Sequence, residues 1–427
     1  MEQNRVTTNA KRKWILAFAI CLCAALGTYV NVFSLIGFAV CIGVVLFCSN
    51  DEVLFVLLFS MSFANIFKIS PSAQSLFTYI MIGYVGYQLF RGDRLSYQYC
   101  MALFPLLIFL SAQFLLSVHI LRTIKFVVNL LFIYLALQDG AGHERDVFCG
   151  YIGGVISSSA IAKLGLLPRL GLYIQDKTTH VGSEYMVRFA GMYADPNYYS
   201  VNLIIALCLV VILFHRKEMK PVTAASISLI LFFFAIMTYS KSAFLMLLIP
   251  VMMFLYCNNI SGRYALQLAC VAGLVFFVIY AISGKIDFLS TVMSRIQNAD
   301  NLNQLTTGRF DLWKKYMNSF SKSFFRLLMG NGFGARLVGG KAAHNTYLDF
   351  LHYLGIVGTF LVVHLLRVTS AEFSRRIRRR IFLNYSVLIV ILIMYFFLSE
   401  LFYFDMSFHI LLAIIVLNMD LHRKNSA

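Results

Sequence analysis

Residues 200–214 read Ser-Val-Asn-Leu-Ile-Ile-Ala-Leu-Cys-Leu-Val-Val-Ile-Leu-Phe, and His215-Arg216-Lys217 follow directly. The run holds no charge, does not alternate, and ends in a basic cluster. A membrane-crossing strand of about ten residues would alternate, whereas a spanning helix needs about twenty mostly apolar residues. The stretch therefore reads as a spanning helix. Working outward on hydropathy alone, similar stretches begin near Trp14, Phe33, Val53, Ser75, Tyr99, Arg122, Val147, Ser200, Val222, Ser242, Tyr264, Tyr347, Ile381 and Phe402. Several are nearer 16 than 20 residues, so about twelve to fourteen spans are expected.

Composition agrees. Of 427 residues, 60% are hydrophobic and 13% charged, with a mean hydropathy of +0.77. A soluble domain carries roughly 25% charged residues, about twice as many. In lipid the backbone must satisfy its own hydrogen bonds, which leaves helices or a closed barrel, and the continuous apolar runs exclude the barrel. The expected fold is an all-α polytopic bundle, one transmembrane domain over residues 1–427, with a large, partly helical outer loop. Lys11, Arg12 and Lys13 precede an apolar run without a small-residue cleavage site, which reads as a retained signal anchor. The nine cysteines all fall in or beside apolar stretches, as small packing residues do, and no zinc-ligand or redox spacing is present.

The net charge of +17 has to be divided by loop before it implies a partner. Lys11–Lys13, Arg216/Lys217/Lys220, Arg367 with Arg375/Arg376/Arg378/Arg379/Arg380, and Arg423/Lys424 form the strongest clusters. Fourteen alternating spans put all four on one side, which the tendency of basic loops to stay inside makes cytoplasmic, together with both termini. Two long loops, residues 168–199 and 284–345, then lie outside. The larger holds nine Lys/Arg (Lys285, Arg295, Arg309, Lys314, Lys315, Lys322, Arg326, Arg336, Lys341) against three Asp, a surplus of six that suits an anionic ligand such as a phosphate or an anionic headgroup. Phe310, Trp313, Tyr316/Met317 and Phe320 recur at helical spacing, as do Phe288, Leu289, Val292, Met293 and Ile296, predicting amphipathic helices at the membrane surface or over the bundle. Gly330, Gly332, Gly334, Gly339 and Gly340 predict a turn-rich stretch before the next span.

Arg188-Phe-Ala-Gly191-Met-Tyr-Ala-Asp195-Pro196-Asn197-Tyr198-Tyr199 enters a span, with Asp195 suited to cap it and Pro196 to its first position. Arg188 has no acid nearby in sequence except Glu184. Thr307-Gly-Arg309-Phe-Asp-Leu-Trp313 lies in the second loop, and Ala343-His344-Asn345-Thr346-Tyr347 joins that loop to the next span. A histidine at such a junction is commonly structural, and it is also the side chain whose proton moves most readily near neutral pH.

With Tyr239-Ser-Lys-Ser242 at a further span start, these motifs in this order resemble the bacterial O-antigen ligase and Wzy-type polysaccharide polymerase superfamily, over about Arg188 to Gly358. Many members carry Arg where this chain has Lys241, which keeps the charge but loses the planar fork. The resemblance implies a glycosyltransferase that uses a glycan on undecaprenyl pyrophosphate at the outer leaflet, without metal or other cofactor. It implies catalytic roles for Arg188 and Arg309, as cations for the pyrophosphate, and for His344, as base for the acceptor hydroxyl or as a phosphate contact. Lys241, Asn345, Asp195, Asn197 and Trp313 are the expected substrate-binding residues. The implied partners are the lipid-linked donor, a glycan or lipid-linked acceptor, membrane lipids and a chain-length regulator, with no nucleic acid. Polymerisation of repeat units is the favoured reading and ligase-type transfer to a final acceptor the alternative. A transporter would instead show ionisable residues at mid-span and repeat symmetry, and a non-catalytic scaffold is the remaining class. Arg122, Lys125, Lys163, Asp349, Glu400 and Asp405 read as snorkelling charges at span ends, with Glu400 and Asp405 flanking a short outer turn near the expected sugar site. Tyr198, Tyr199, Tyr347, Tyr353, Phe402 and Tyr403 suit either sugar stacking or an interfacial aromatic belt.

Overall fold

The structure is a computed structural model that describes residues 2–92, 94–117, 119–174, 177–181, 184–193, 195–257, 308–374, 381–399 and 404–421. Eleven helices occupy the chain up to residue 257: α1 (Glu2–Gly27), α2 (Asn31–Phe47), α3 (Asn50–Met61), α4 (Leu76–Phe90), α5 (Tyr97–Gln113), α6 (Ile120–Gly140), α7 (Glu144–Lys163), the single turn α8 (Leu170–Tyr173), α9 (Pro196–His215), α10 (Pro221–Met237) and α11 (Lys241–Cys257). After residue 307 come α12 (Arg309–Ser321), α13 (Phe324–Met329), α14 (Thr346–Glu372), α15 (Ile381–Tyr395) and α16 (Phe404–Asn418). A helix stands at every expected span within the described residues. The span expected near Tyr264, the stripe from Phe288 to Ile296, the Arg375–Arg380 and Arg423/Lys424 clusters, Glu400, Phe402 and Tyr403 lie outside them. By length and composition α6, α9 and α14 suffice to cross a membrane, and the other apolar helices are shorter. The protein is an integral membrane protein.

The opening stretch of sequence became α9, the most enclosed of the three long spans. It packs against α7, α10, α11 and α15, so lipid does not reach most of its length. Asp195 caps it as expected, accepting from Asn197 N at 2.8 Å, with Pro196 in the first turn. Glycines let α7 lie directly on α3. A Cβ on Gly154 would sit 2.3 Å from the Phe59 carbonyl oxygen, and one on Gly150 would sit 2.8 Å from that of Phe55.

Three features depart from expectation. The first long loop holds an antiparallel hairpin, β1 (Lys177–Val181) with β2 (Glu184–Arg188), registered Lys177 opposite Arg188 and Val181 opposite Glu184. The all-α architecture stands, and the hairpin is a local exception in which Thr178 lies opposite Val187 and Thr179 opposite Met186, pairs that include residue types favouring extended backbone. Helix α12 buries Tyr316 and Phe320, with Leu312 and Trp313 packed beside them, while Phe310 and Met317 stay exposed. Trp313, Tyr316 and Phe320 of the expected stripe thus face inward, with Leu312 in the place of Phe310, and Ala343 and Leu348 close over that side. Finally, α14 breaks at Gly355, whose φ of 64° lies in the left-handed region. Gly330 crosses there in the same region, and a Cβ on Gly355 would meet Gly330 N at 2.3 Å. The glycine-rich stretch is therefore a close backbone contact that fastens the large loop to α14.

Chain order assigns the helix ends. The α3–α4, α5–α6, α7–α9 and α15–α16 connections and the entry to α14 share one end of the bundle. The starts of α1, α3 and α7 and the end of α6 share the other.

Candidate functional site

A cavity of about 850 Å³ opens at the end where those connections meet. Its wall draws Lys68 and Gln74 from the α3–α4 connection, His119, Arg122 and Lys125 from the start of α6, and Tyr193, Asp195 and Tyr198 from the entry to α9. The large loop and α14 add His344, Asp349 and Tyr353, Ser399 follows α15, and Asp405 comes from the first turn of α16.

Of the residues expected from sequence, His344 and Asp195 line this cavity. His344 has a φ of 48°, an unusual value for a side chain with a Cβ, and its neighbours fix that conformation. On one side, Trp313 Nε1 donates to the Ala343 carbonyl at 2.9 Å. On the other, the Asn345 side chain caps α14 by accepting from Leu348 N at 3.1 Å. Trp313 and Asn345 therefore spend these polar atoms on the backbone flanking His344, and they act on it by holding it.

Arg309 is held by the Phe397 carbonyl, to which its Nη1 donates at 2.9 Å. Burial pushes its guanidinium below the ordinary range, an effect opposed by the charge of Asp195 and by Tyr198. Those two residues come from the first long loop, so both loops meet at Arg309. Arg188 sits one step behind. Its Nε donates to the Thr238 carbonyl at 3.0 Å and its Nη2 to Asn197 Oδ1 at 3.0 Å. Asn197 Oδ1 also accepts from Ser240 Oγ at 2.8 Å, which ties the Arg188 motif to the start of α11, the element that carries Lys241. The Lys241 side chain is outside the described atoms. The structure thus puts His344 and Asp195 on the cavity wall, Arg309 near Asp195 and Tyr198 without lining the cavity, and Arg188 with Asn197 behind them.

Sequence reading missed the joint between these residues. Three successive carbonyls at the end of α15 each receive a donor: Phe397 from Arg309, Leu398 from Thr346 Oγ1 at 2.6 Å, and Ser399 from the Tyr198 hydroxyl at 2.8 Å. No side-chain motif marks this segment, since its backbone makes the contacts. The second omission is a set of cations. Arg122 and Lys125 read from sequence as snorkelling charges, yet both line the cavity. Arg122 Nη1 reaches the Phe333 carbonyl at 3.0 Å and Lys125 Nζ reaches Gln74 Oε1 at 3.2 Å. Lys68 joins them without a hydrogen-bond or ion-pair partner among the described residues, and burial pushes its ammonium below the ordinary range. The acids are engaged: Tyr193 OH donates to Asp405 Oδ1 at 3.3 Å, and Asp195 caps α9. Desolvation and the neighbouring Asp405 charge push the Tyr193 phenol well above its usual range, so it remains a donor.

A chamber lined by desolvated cations, a histidine in a fixed conformation and carboxylates suits transfer of a group from an anionic leaving group to a hydroxyl. No curated protein matched the sequence. A family model described as O-antigen ligase matches residues 226–363, a stretch that contains the Tyr239–Ser242, Gly308–Trp313 and His344–Tyr347 motifs and leaves the Arg188 motif just outside. Residues 226–363, about a third of the chain, are thus similar to the O-antigen ligase family, which supports the resemblance to the O-antigen ligase/Wzy superfamily.

Proposed function

We propose that the protein polymerises oligosaccharide repeat units carried on undecaprenyl pyrophosphate, at the outer face of the bacterial cytoplasmic membrane. The observation that carries the reading is the 850 Å³ cavity, where His344 faces a chamber whose wall also holds Lys68, Arg122 and Lys125. In this reading the cavity end of the bundle is extracytoplasmic and the two termini are cytoplasmic. The acceptor hydroxyl oxygen attacks the anomeric carbon of the donor glycan. The bond from that carbon to the pyrophosphate oxygen breaks, and the lipid pyrophosphate leaves with the electron pair. His344 takes the hydroxyl proton, so proton and charge are both accounted for. Arg309, with Arg188 behind it and Lys241 at the start of the next helix, stabilises charge developing on the leaving group without metal. Asp195 and Asn197 orient those arginines, and Trp313 and Asn345 hold the base.

One observation favours a second assignment of the base. Asp349 lines the same cavity one turn beyond His344. Separate His344→Ala and Asp349→Asn variants distinguish the two, since only loss of the true base abolishes transfer while both proteins still fold.

Polymerase is preferred to ligase because a ligase requires one particular final acceptor, whereas polymerases serve capsule, exopolysaccharide and O-antigen synthesis. The deciding measurement is the lipid-linked pool in a deletion strain. Single repeat units on lipid carrier are expected to accumulate. Accumulation of finished polymer on the carrier would instead assign the ligase reaction. A chain-length regulator is the partner that a polymerase implies.

A further inference from the structure

A second groove, of about 460 Å³, lies beside the first cavity. Lys322, Arg326 and Arg336 supply its charges, His352 its wall from α14, and Leu116 and Ser117 its edge from the end of α5. No Asp or Glu lines it, and none of the three cations has an acidic partner within 4 Å among the described residues. Three unpaired like charges in one groove repel one another unless an anion joins them.

The groove is built on a fixed floor. Gln113 Nε2 donates to the Met329 carbonyl at 2.7 Å and to the Tyr353 carbonyl at 2.8 Å, and Ser117 Oγ donates to the Asn331 carbonyl at 2.7 Å. Asn331 N and Gly332 N donate to the His352 and Tyr353 carbonyls at 2.9 and 3.0 Å. These bonds join the end of α5, the turn after α13 and α14 into one frame.

Its rim is apolar. Phe324 and Phe325 are 73% and 58% exposed, and Leu115 next to the α5 edge is 89% exposed. Side chains of this size stay exposed at little cost where acyl chains cover them. The α5 edge also sets the level, because the end of an apolar bundle helix lies at headgroup height. Cations inside an apolar rim at that height match a phosphate attached to acyl chains.

We propose that this groove binds the phosphate of an anionic glycerophospholipid from the surrounding leaflet. The groove opens at the rim, so bulk bilayer lipid can enter and exchange. Val338 lines the groove while Leu337 and His344 line the first cavity, so one segment forms a wall of both. Lipid in the groove would thus steady the segment that carries His344. Only this last consequence depends on the proposed glycan chemistry.

The test is native mass spectrometry of the full-length protein titrated with phosphatidylglycerol, phosphatidylcholine or undecaprenyl phosphate. It compares the wild type with a Lys322→Gln/Arg326→Gln/Arg336→Gln variant, whose changes are at exposed positions and spare the cavity. The wild type should hold at least one more phosphatidylglycerol, with affinity about tenfold to a hundredfold above the variant's, and phosphatidylcholine should show no such gap. Equal phosphatidylglycerol binding by the two proteins overturns the proposal. So does a gap that is larger for undecaprenyl phosphate than for phosphatidylglycerol. Neither outcome touches the polymerase reading, which fails instead on the lipid-linked pool described above.

Discussion

The two ends of the bundle treat charge in opposite ways. At the end away from the cavity, charges are matched. Lys13 Nζ sits 2.5 Å from Asp51 and 2.6 Å from Asp146. Asp139, fully enclosed, pairs with Arg94 and also accepts from Asn50 Nδ2 at 2.8 Å and Gln88 Nε2 at 3.0 Å. The His143, Asp51 and Asp146 group, which has metal-like spacing, lies here with Lys13 already between its carboxylates. At the cavity end, Lys68 has no described counter-charge, and Arg122 and Lys125 bond only to neutral acceptors in the contacts given above. A matched end is finished as a structure. An end that holds Lys68 without a counter-charge among the described residues is arranged for an anion that arrives later.

The largest effects expected from breaking this contrast are at the cavity. His344→Ala should lower transfer about 10²- to 10⁴-fold, the range for losing a positioned base. Arg309→Ala should lower it about 10²- to 10³-fold, as for one lost charge-stabilising donor. Polymer length on gels and protein level in membranes are the two readouts. Full-length polymer from either variant would sink the assigned roles. Arg188→Ala should also abolish polymer, by releasing Asn197 and the start of α11.

The next effect concerns stability and belongs to the other end. Asp139→Ala leaves the half-buried Arg94 and the buried Gln88 without their shared carboxylate, a change that costs about 3 kcal/mol. Thermal unfolding in detergent should shift well downward, while activity per folded molecule stays near wild type. A selective loss of activity with an unchanged melting temperature would show that the two ends are coupled and not separate.

How much of this was readable from sequence follows the same division. Helix existence was legible because residues 200–214 and their counterparts carry a signal as long as the element itself. Asp195-Pro196 was legible because a cap acts on its own next turn. The hairpin was missed because β1 and β2 are short and their pairing is visible only once both strands are placed. Phe397 to Ser399 were missed because their carbonyls, common to every residue, make the contacts. Arg122 and Lys125 were visible as charges, but a snorkelling cation and a cavity cation look alike until the α3–α4 connection closes over them. Trp313 and Asn345 are expected from sequence to bind substrate, whereas their side-chain bonds here go to the backbone flanking His344, a contact visible only once the loop is placed.

A smaller effect tests the joint between the loops. Tyr198→Phe removes the hydroxyl that donates to the Ser399 carbonyl and accepts from Ser399 N at 3.1 Å. The ring and its packing remain, so the loss is about one or two hydrogen bonds, near 1 kcal/mol each. Activity should fall only a few-fold, with the fall in apparent donor affinity larger than that in turnover. A loss as large as that of Arg309→Ala would mean that Tyr198 contacts substrate directly.

The smallest predicted effect is at Lys68, and its sign is set by burial. Desolvation lowers the ammonium's proton affinity, so the group loses its charge at a lower pH than an exposed lysine does. While charged it costs the fold some stability, a cost that disappears as pH rises past the ordinary lysine range. A pyrophosphate nearby favours the charged form and raises that pKa again, so binding takes up a proton in this alkaline window. Donor affinity should therefore weaken as pH rises through the lowered value. Lys68→Arg, which stays charged throughout, should flatten that limb while leaving affinity at neutral pH within a few-fold of wild type. An unchanged alkaline limb in Lys68→Arg would remove Lys68 from the anion's surroundings and leave that wall to Arg122 and Lys125.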